Sequence, residues 1–314
     1  MKLSRKKLNK LIKEELENIL LDQPVENDLN PEDEAALDFI VNYTLNESAQ
    51  KRNKKVKQFL KESSQQQFSR NFYVVQQATS DLEDTIINFD MDGVLVDFAA
   101  GVSNIAGSIL NIKRLLLPDA KQREKLLEPG TFQNQNNPIA TRPGSFGIAG
   151  TKIFTKLVDL AGKFKHWISR GKYKPAAYHE DYIANNSAFT ALITNLSKNP
   201  TFRQRFWQTL PPNPEGMKLF LDCLNYSNFS SVGILTSPLL NSILDTTEGK
   251  KRWIASYMTT TRPSFVIMDG NKQKYAINKG KPTVLIDDWT FNCDAFKQAG
   301  GRTILFRDET ASIY

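Results

Sequence analysis

The spacing of apolar residues divides the chain into three stretches. In the first, Leu8, Leu11, Ile12, Leu16, Ile19 and Leu20 recur at helical spacing among lysines and glutamates, predicting an amphipathic helix that Ser4 is placed to cap. A polar break from Asp22 to Asn30 contains Pro24. Asn30-Pro31-Glu32-Asp33-Glu34 then opens a second helix, with a cap residue, proline at the first position and acids in the first turn. Ala36, Leu37, Phe39, Ile40, Tyr43 and Leu45 line it as far as Asn46, and basic (Lys51–Lys61) and Ser/Gln-rich (Ser63–Ser69) segments follow. These features predict a helical arm over residues 1–80, set apart in sequence from the α/β core. Its amphipathic helices are read first as packed on that core or partly disordered, and otherwise as a docking, oligomerisation or nucleic-acid-tethering module.

The second stretch opens on Thr85–Phe89, a short apolar run of the kind a buried strand has. The strand–helix rhythm then stops for some 130 residues. Helices are expected at Val102–Leu117, Lys121–Leu127, Ile153–Ile168, Phe189–Leu196 and Phe202–Trp207. Phe132–Gly150, rich in Asn, Pro and Gly, reads as loop, and Gly171–His179 is basic and aromatic.

In the third stretch the alternation resumes. Helices are predicted at Met217–Leu224, Thr247–Met258 and Cys293–Ala299, and strands at Val232–Leu235, Phe265–Met268, Thr283–Ile286 and Thr303–Phe306. Strands alternating with helices imply an α/β fold with a Rossmann-like parallel sheet and right-handed crossovers. The expected division is an arm (1–80), an α/β core (81–99 with 230–314) and a mainly helical insertion (100–229).

Composition narrows the setting. The 314 residues contain no apolar run long enough to span a membrane, and the charged N-terminus lacks the apolar centre of a signal peptide. Cys223 and Cys293 form no CxxC pair, which excludes a cysteine zinc site or a disulfide framework and suits the cytoplasm. The net charge of +7 is spread along the chain, which suits anionic small molecules at least as well as nucleic acid.

The chemistry concentrates at strand ends. Asp90 and Asp92 follow the Thr85–Phe89 strand, one residue apart, with Gly93 permitting a turn. Two carboxylates at the rim of an open α/β sheet repel each other, and a hard divalent cation such as Mg2+ relieves that repulsion. Thr236 and Ser237 follow an apolar strand, where a hydroxyl and free backbone N–H groups bind phosphate oxygens. Asp287-Asp288 ends another apolar strand. The glycine-rich segment Gly144–Lys152 lacks the GxxxxGK[ST] order of a phosphate loop, His166 and His179 have no second ligand at metal spacing, and Cys223 falls in a core pattern.

Asp90-Met91-Asp92-Gly93-Val94-Leu95 resembles motif I of the haloacid dehalogenase-like phosphohydrolases, and Asp97 and Phe98 extend the match. Thr236 resembles motif II and Asp287-Asp288 motif IV. Within that superfamily the chain is similar to the 5'(3')-deoxyribonucleotidases and their phage and bacterial relatives. Four stretches carry this likeness: DMDGVLVDF; Phe206–Pro211 with Pro214 and Gly216; Leu235–Leu240 with Gly249–Ile254; and Thr283–Asp288.

The resemblance implies a haloacid dehalogenase-like core whose helical insertion is a cap, and Mg2+-dependent hydrolysis of a nucleoside monophosphate through an aspartyl-phosphate. Asp90 would be the nucleophile and Asp92 the general acid/base. Asp90, the Asp92 backbone carbonyl and Asp288 would bind the metal, with Asp287 supporting. Thr236, Ser237 and Lys250 would contact phosphate, and cap aromatics would stack the base. Motif III is a lysine that neutralises Asp90 and the phosphoryl group. Lys274, which precedes apolar residues as the family's lysine does, is the first choice and Lys272 the second. The longer cap, the arm and the missing Arg-Asp-Lys order depart from the nucleotidases and leave the substrate open. The rival readings are a polynucleotide end phosphatase and a non-catalytic binding protein, with the arm as an oligomerisation or docking module.

Overall fold

A computed structural model describes residues 29–62, 68–116, 148–169, 187–238, 246–259, 262–307 and 310–314. The expected elements at Leu8–Leu20, Lys121–Leu127, 132–147 and Gly171–His179 lie outside the described residues.

The sheet has the order β3-β2-β1-β6-β7-β8, formed by β1 (Thr85–Phe89), β2 (Phe229–Thr236), β3 (Val266–Met268), β6 (Val284–Asp287), β7 (Arg302–Arg307) and β8 (Thr310–Ile313). All neighbours pair in parallel except β8, which runs antiparallel to β7 at the edge. A two-stranded hairpin, β4 (Ile277–Asn278) with β5 (Lys281–Pro282), sits apart from it. The fold is therefore the expected α/β architecture with a mostly parallel, Rossmann-like sheet.

The two central strands explain where a site must form. In β1, Ile87 and Phe89 are fully buried, as are all four residues of β6 apart from traces, so both read as continuous apolar runs. The chain leaves β1 toward β2 and β3 on one side, while β6 and β7 lie on the other. Strand order thus reverses at β1, and the crevice beyond its carboxyl end is where an open α/β sheet accepts a ligand. Asp90 is the next residue.

The helices form two groups. Pro214–Leu224 packs on β2, and the Phe220 ring meets Phe89 edge-on at 5.1 Å. Phe98–Leu116, Lys152–Ser169 and Ser187–Leu196 pack on one another, and Pro200–Thr209 lies against Thr246–Tyr257. Helices that pack on the sheet thus come from before residue 230, Pro214–Leu224 among them.

The described part of the arm packs on the rest, in line with the first of the two readings of it. The helix expected to end near Asn46 runs from Pro31 to Glu62, taking in the basic stretch, and packs on helices Phe98–Leu116, Lys152–Ser169 and Pro200–Thr209. Its residues Leu37, Ile40 and Val41 share one apolar core with Ile105, Leu157 and Ile87. Asp33 accepts a hydrogen bond at 2.9 Å from the Ile153 N–H, filling a donor left unpaired at that helix start. A second helix, Arg70–Ala78, capped by Ser69, packs on β7 and β8. The Ser/Gln-rich run before it hid this helix, whose cap is the last residue of that run. Strand β8 escaped sequence reading because Thr310–Ile313 is short, polar and paired along one edge alone.

Candidate active site

Four acidic side chains and two lysines meet at the carboxyl ends of β1, β2 and β6. Asp90 is 6 % exposed. Its Oδ1 accepts from the Met91 N–H at 2.7 Å, and its Oδ2 lies 2.8 Å from Lys272 Nζ. The backbone past Asp90 is clamped: Leu95 and Val96 N–H both return to the Met91 carbonyl, and Gly93 N–H bonds to Val96 O. Asn213 N–H bonds to Leu95 O, and Asp97 N–H to Pro211 O, so the start of helix Pro214–Leu224 holds this loop in place.

Asp92 is buried on the same side. Its Oδ2 pairs with Lys250 Nζ, while its Oδ1 has no hydrogen-bond partner. Burial pushes the Asp92 carboxyl above its usual range against the pull of Lys250, and Asp90 adds to the rise. Lys250, fully buried, also reaches Thr236 Oγ1 at 3.0 Å and the Ser237 carbonyl at 2.8 Å. The ring of Trp207, from the helical insertion, lies 4.6 Å from its ammonium. The structure thus brings Lys250, Thr236 and Ser237 to the aspartate pair, as expected, and adds Trp207.

Asp287, at the end of β6, is fully buried. Its Oδ2 lies 2.7 Å from Lys272 Nζ, its Oδ1 accepts from the Trp289 N–H at 2.8 Å, and the Asn292 amide donates to both oxygens at 3.2 and 3.0 Å. Burial raises its carboxyl to about 6, opposed by Lys272. Burial acts against the charge on Lys272 too, but Asp287 and Asp90 outweigh it and the lysine is held above its ordinary range. The Asp288 carboxylate lies against Gly93, and its backbone carbonyl accepts from Arg307 Nε at 3.0 Å.

The lysine assignment changes. Lys274, the first choice, is not at the site: its side chain is 58 % exposed and pairs with Asp269 at 3.2 Å. Lys272 is the lysine on Asp90. Both sit in one short 3₁₀ turn, Lys272–Tyr275, and residues two apart in so tight a turn point in different directions. The order of residues in the chain held no information on that choice. Three aromatics of the insertion, Phe189, Phe206 and Trp207, pack with Phe98 of the core, and all four are buried.

One carboxylate oxygen from each of Asp90, Asp287 and Asp288 falls within 4.8 Å of the other two. An all-oxygen set of this kind suits a hard cation such as Mg2+. No protein-family model, no curated protein and no solved structure matches the chain.

Proposed function

We propose that the protein is a Mg2+-dependent phosphomonoester hydrolase of the haloacid dehalogenase-like kind, working through an aspartyl-phosphate. The observation that carries this reading is the placement of Asp90. A carboxylate at the end of the central strand, touched by one buried lysine and followed two residues later by a second buried acid, has the parts of a nucleophile with its acid/base partner.

Asp90 attacks phosphorus in line as the bond from phosphorus to the leaving oxygen breaks. Asp92, whose burial favours the protonated acid, gives its proton to that oxygen. It then takes a proton from the water that attacks the aspartyl-phosphate, which releases phosphate and restores Asp90. Lys272 spreads positive charge over Asp90 and the phosphoryl oxygens, while Lys250 orients Asp92 and, with Thr236, faces the phosphate position. Asp90, Asp288 and the Asp92 carbonyl would hold a divalent cation, which would supply further positive charge for the phosphoryl group. The substrate proposed is a nucleoside monophosphate, in preference to a polynucleotide end. That choice rests on the four nucleotidase-like stretches, each of which has a residue beside Asp90 or Lys250.

The test is turnover of a generic aryl phosphate with Mg2+ and with EDTA, followed by a panel of nucleotides and sugar phosphates. Metal-dependent release of phosphate that Asp90→Asn abolishes is expected. Turnover that survives EDTA or Asp90→Asn would overturn the mechanism.

A further inference from the structure

We propose that Asn292 is a positioning residue that locks Asp287 as the fixed counter-charge of Lys272 and thereby sets the lysine against Asp90. The inference rests on the reading above only for what Asp90 does.

A carboxylate offers about four lone-pair sites. Asp287 meets four donor contacts: the Trp289 N–H on Oδ1, the Lys272 ammonium on Oδ2, and the Asn292 amide on each oxygen. These three donors, the Asn292 amide being shared between the two oxygens, engage both oxygens of Asp287, although one of them lies within reach of the carboxylates of Asp90 and Asp288. Asp287 is therefore held by its donors, and the cation falls to the other two acids.

The choice of an amide follows from the charges. A second cation at position 292 would compete with Lys272 for Asp287, and a carboxylate would repel it. A neutral double contact fixes the carboxylate plane and leaves its charge to the lysine. Asn292 is well placed for this, in the first turn of helix Thr290–Gln298, whose start also presents the Trp289 N–H. Lys272 then bridges two carboxylates at 2.7 and 2.8 Å, and its place against Asp90 depends on Asp287 staying still. Loss of this amide is expected to lower activity by about 10–100-fold, the range seen for outer-shell partners of metal ligands, because it frees the acid that sets Lys272.

The experiment uses the full chain carrying Asn292→Ala, and Asn292→Leu as a second apolar replacement of similar size. The first readout is the 1H–15N resonance of the Lys272 ammonium without metal, identified by its absence in Lys272→Met. It should be sharp in the parent protein and broadened or lost in both variants. The second is aryl phosphate kinetics, where kcat should fall by about 10–100-fold with KM little changed. The third is the rise in Tm on adding Mg2+, which should persist in Asn292→Ala and vanish in Asp288→Asn.

An unchanged ammonium resonance with parental kcat would overturn the proposal. So would loss of the Mg2+ shift in Asn292→Ala, since Asp287 would then be a ligand and Asn292 its support. A parent protein without turnover would defeat the phosphohydrolase reading alone, and the ammonium resonance would still decide the positioning role.

Discussion

Gly93 and Asp288 are in direct contact: a Cβ built on Gly93 would overlap the Asp288 carboxylate. Gly93 also has φ of +73°, a backbone conformation that costs a side-chain-bearing residue about 1–2 kcal/mol. Glycine is needed here twice over, once for the turn that brings Asp92 back beside Asp90 and once to leave space for the acid from β6. Gly93→Ala should therefore move Asp288 and reduce turnover by at least about tenfold, with a modest fall in stability. Kinetics with increasing Mg2+, set beside thermal unfolding, checks this. A variant with parental kcat and metal dependence would contradict it.

The two lysines of the Lys272–Tyr275 turn should behave oppositely. Lys272→Met leaves Asp90 and Asp287 buried without their shared cation, a change worth about 3–5 kcal/mol where one partner of a buried pair is removed. Turnover should drop on the order of a hundredfold or more. Lys274→Met removes a pair on the surface and should change stability by less than about 1 kcal/mol, leaving activity near parental. Denaturant unfolding and kcat of the two variants decide the assignment. The reverse ranking would return Lys274 to the site.

Lys250 makes a comparable prediction for Asp92. Its ammonium is held by Asp92, Thr236, the Ser237 carbonyl and the Trp207 ring, all within a buried setting. Lys250→Met should cost about 3–5 kcal/mol by stranding Asp92. On the proposed mechanism it should also slow both proton-transfer steps, so that an aspartyl-phosphate would form and break down more slowly. Rapid-quench measurement of the covalent phosphate gives the two rates. A variant that binds substrate poorly but reacts at parental rates would assign Lys250 to binding alone.

The N-terminal helix Pro31–Glu62 should behave as part of the fold. Removing residues 31–62 exposes the partners of Ala36, Leu37, Ile40, Val41 and Leu45, all buried, and should leave a chain that does not fold cooperatively. The milder Asp33→Ala removes the acceptor for the Ile153 N–H and should cost about 1 kcal/mol, the usual loss for a helix-start acceptor. Circular dichroism with thermal melting measures both. Full stability after the deletion would restore the expectation of an independent docking arm.

The elements were largely legible along the chain. Thr85–Phe89 was read with its observed limits, and helices such as Ile153–Ile168 and Phe189–Leu196 differ from Lys152–Ser169 and Ser187–Leu196 by one or two residues. These segments bury a whole face or both faces, so their apolar spacing repeats what packing demands. Asp90, Asp92, Thr236 and Asp287-Asp288 were legible for a related reason. Each lies at or just past the end of a buried strand, and in a parallel sheet such residues share one rim.

Local pattern by itself determined the parallel strands, most of the described helices and the acids at the rim, because each of these is recorded in residues that are neighbours in the chain. Tertiary structure alone decided that Lys272 faces Asp90 while Lys274 faces solvent, that Asn292 and Trp207 belong to the site, and that Pro31–Glu62 packs into the body of the protein. Those outcomes depend on contacts between segments remote in sequence, such as Asp287 with Lys272 or Asp33 with Ile153. Periodicity carries no trace of a partner that arrives from another part of the chain.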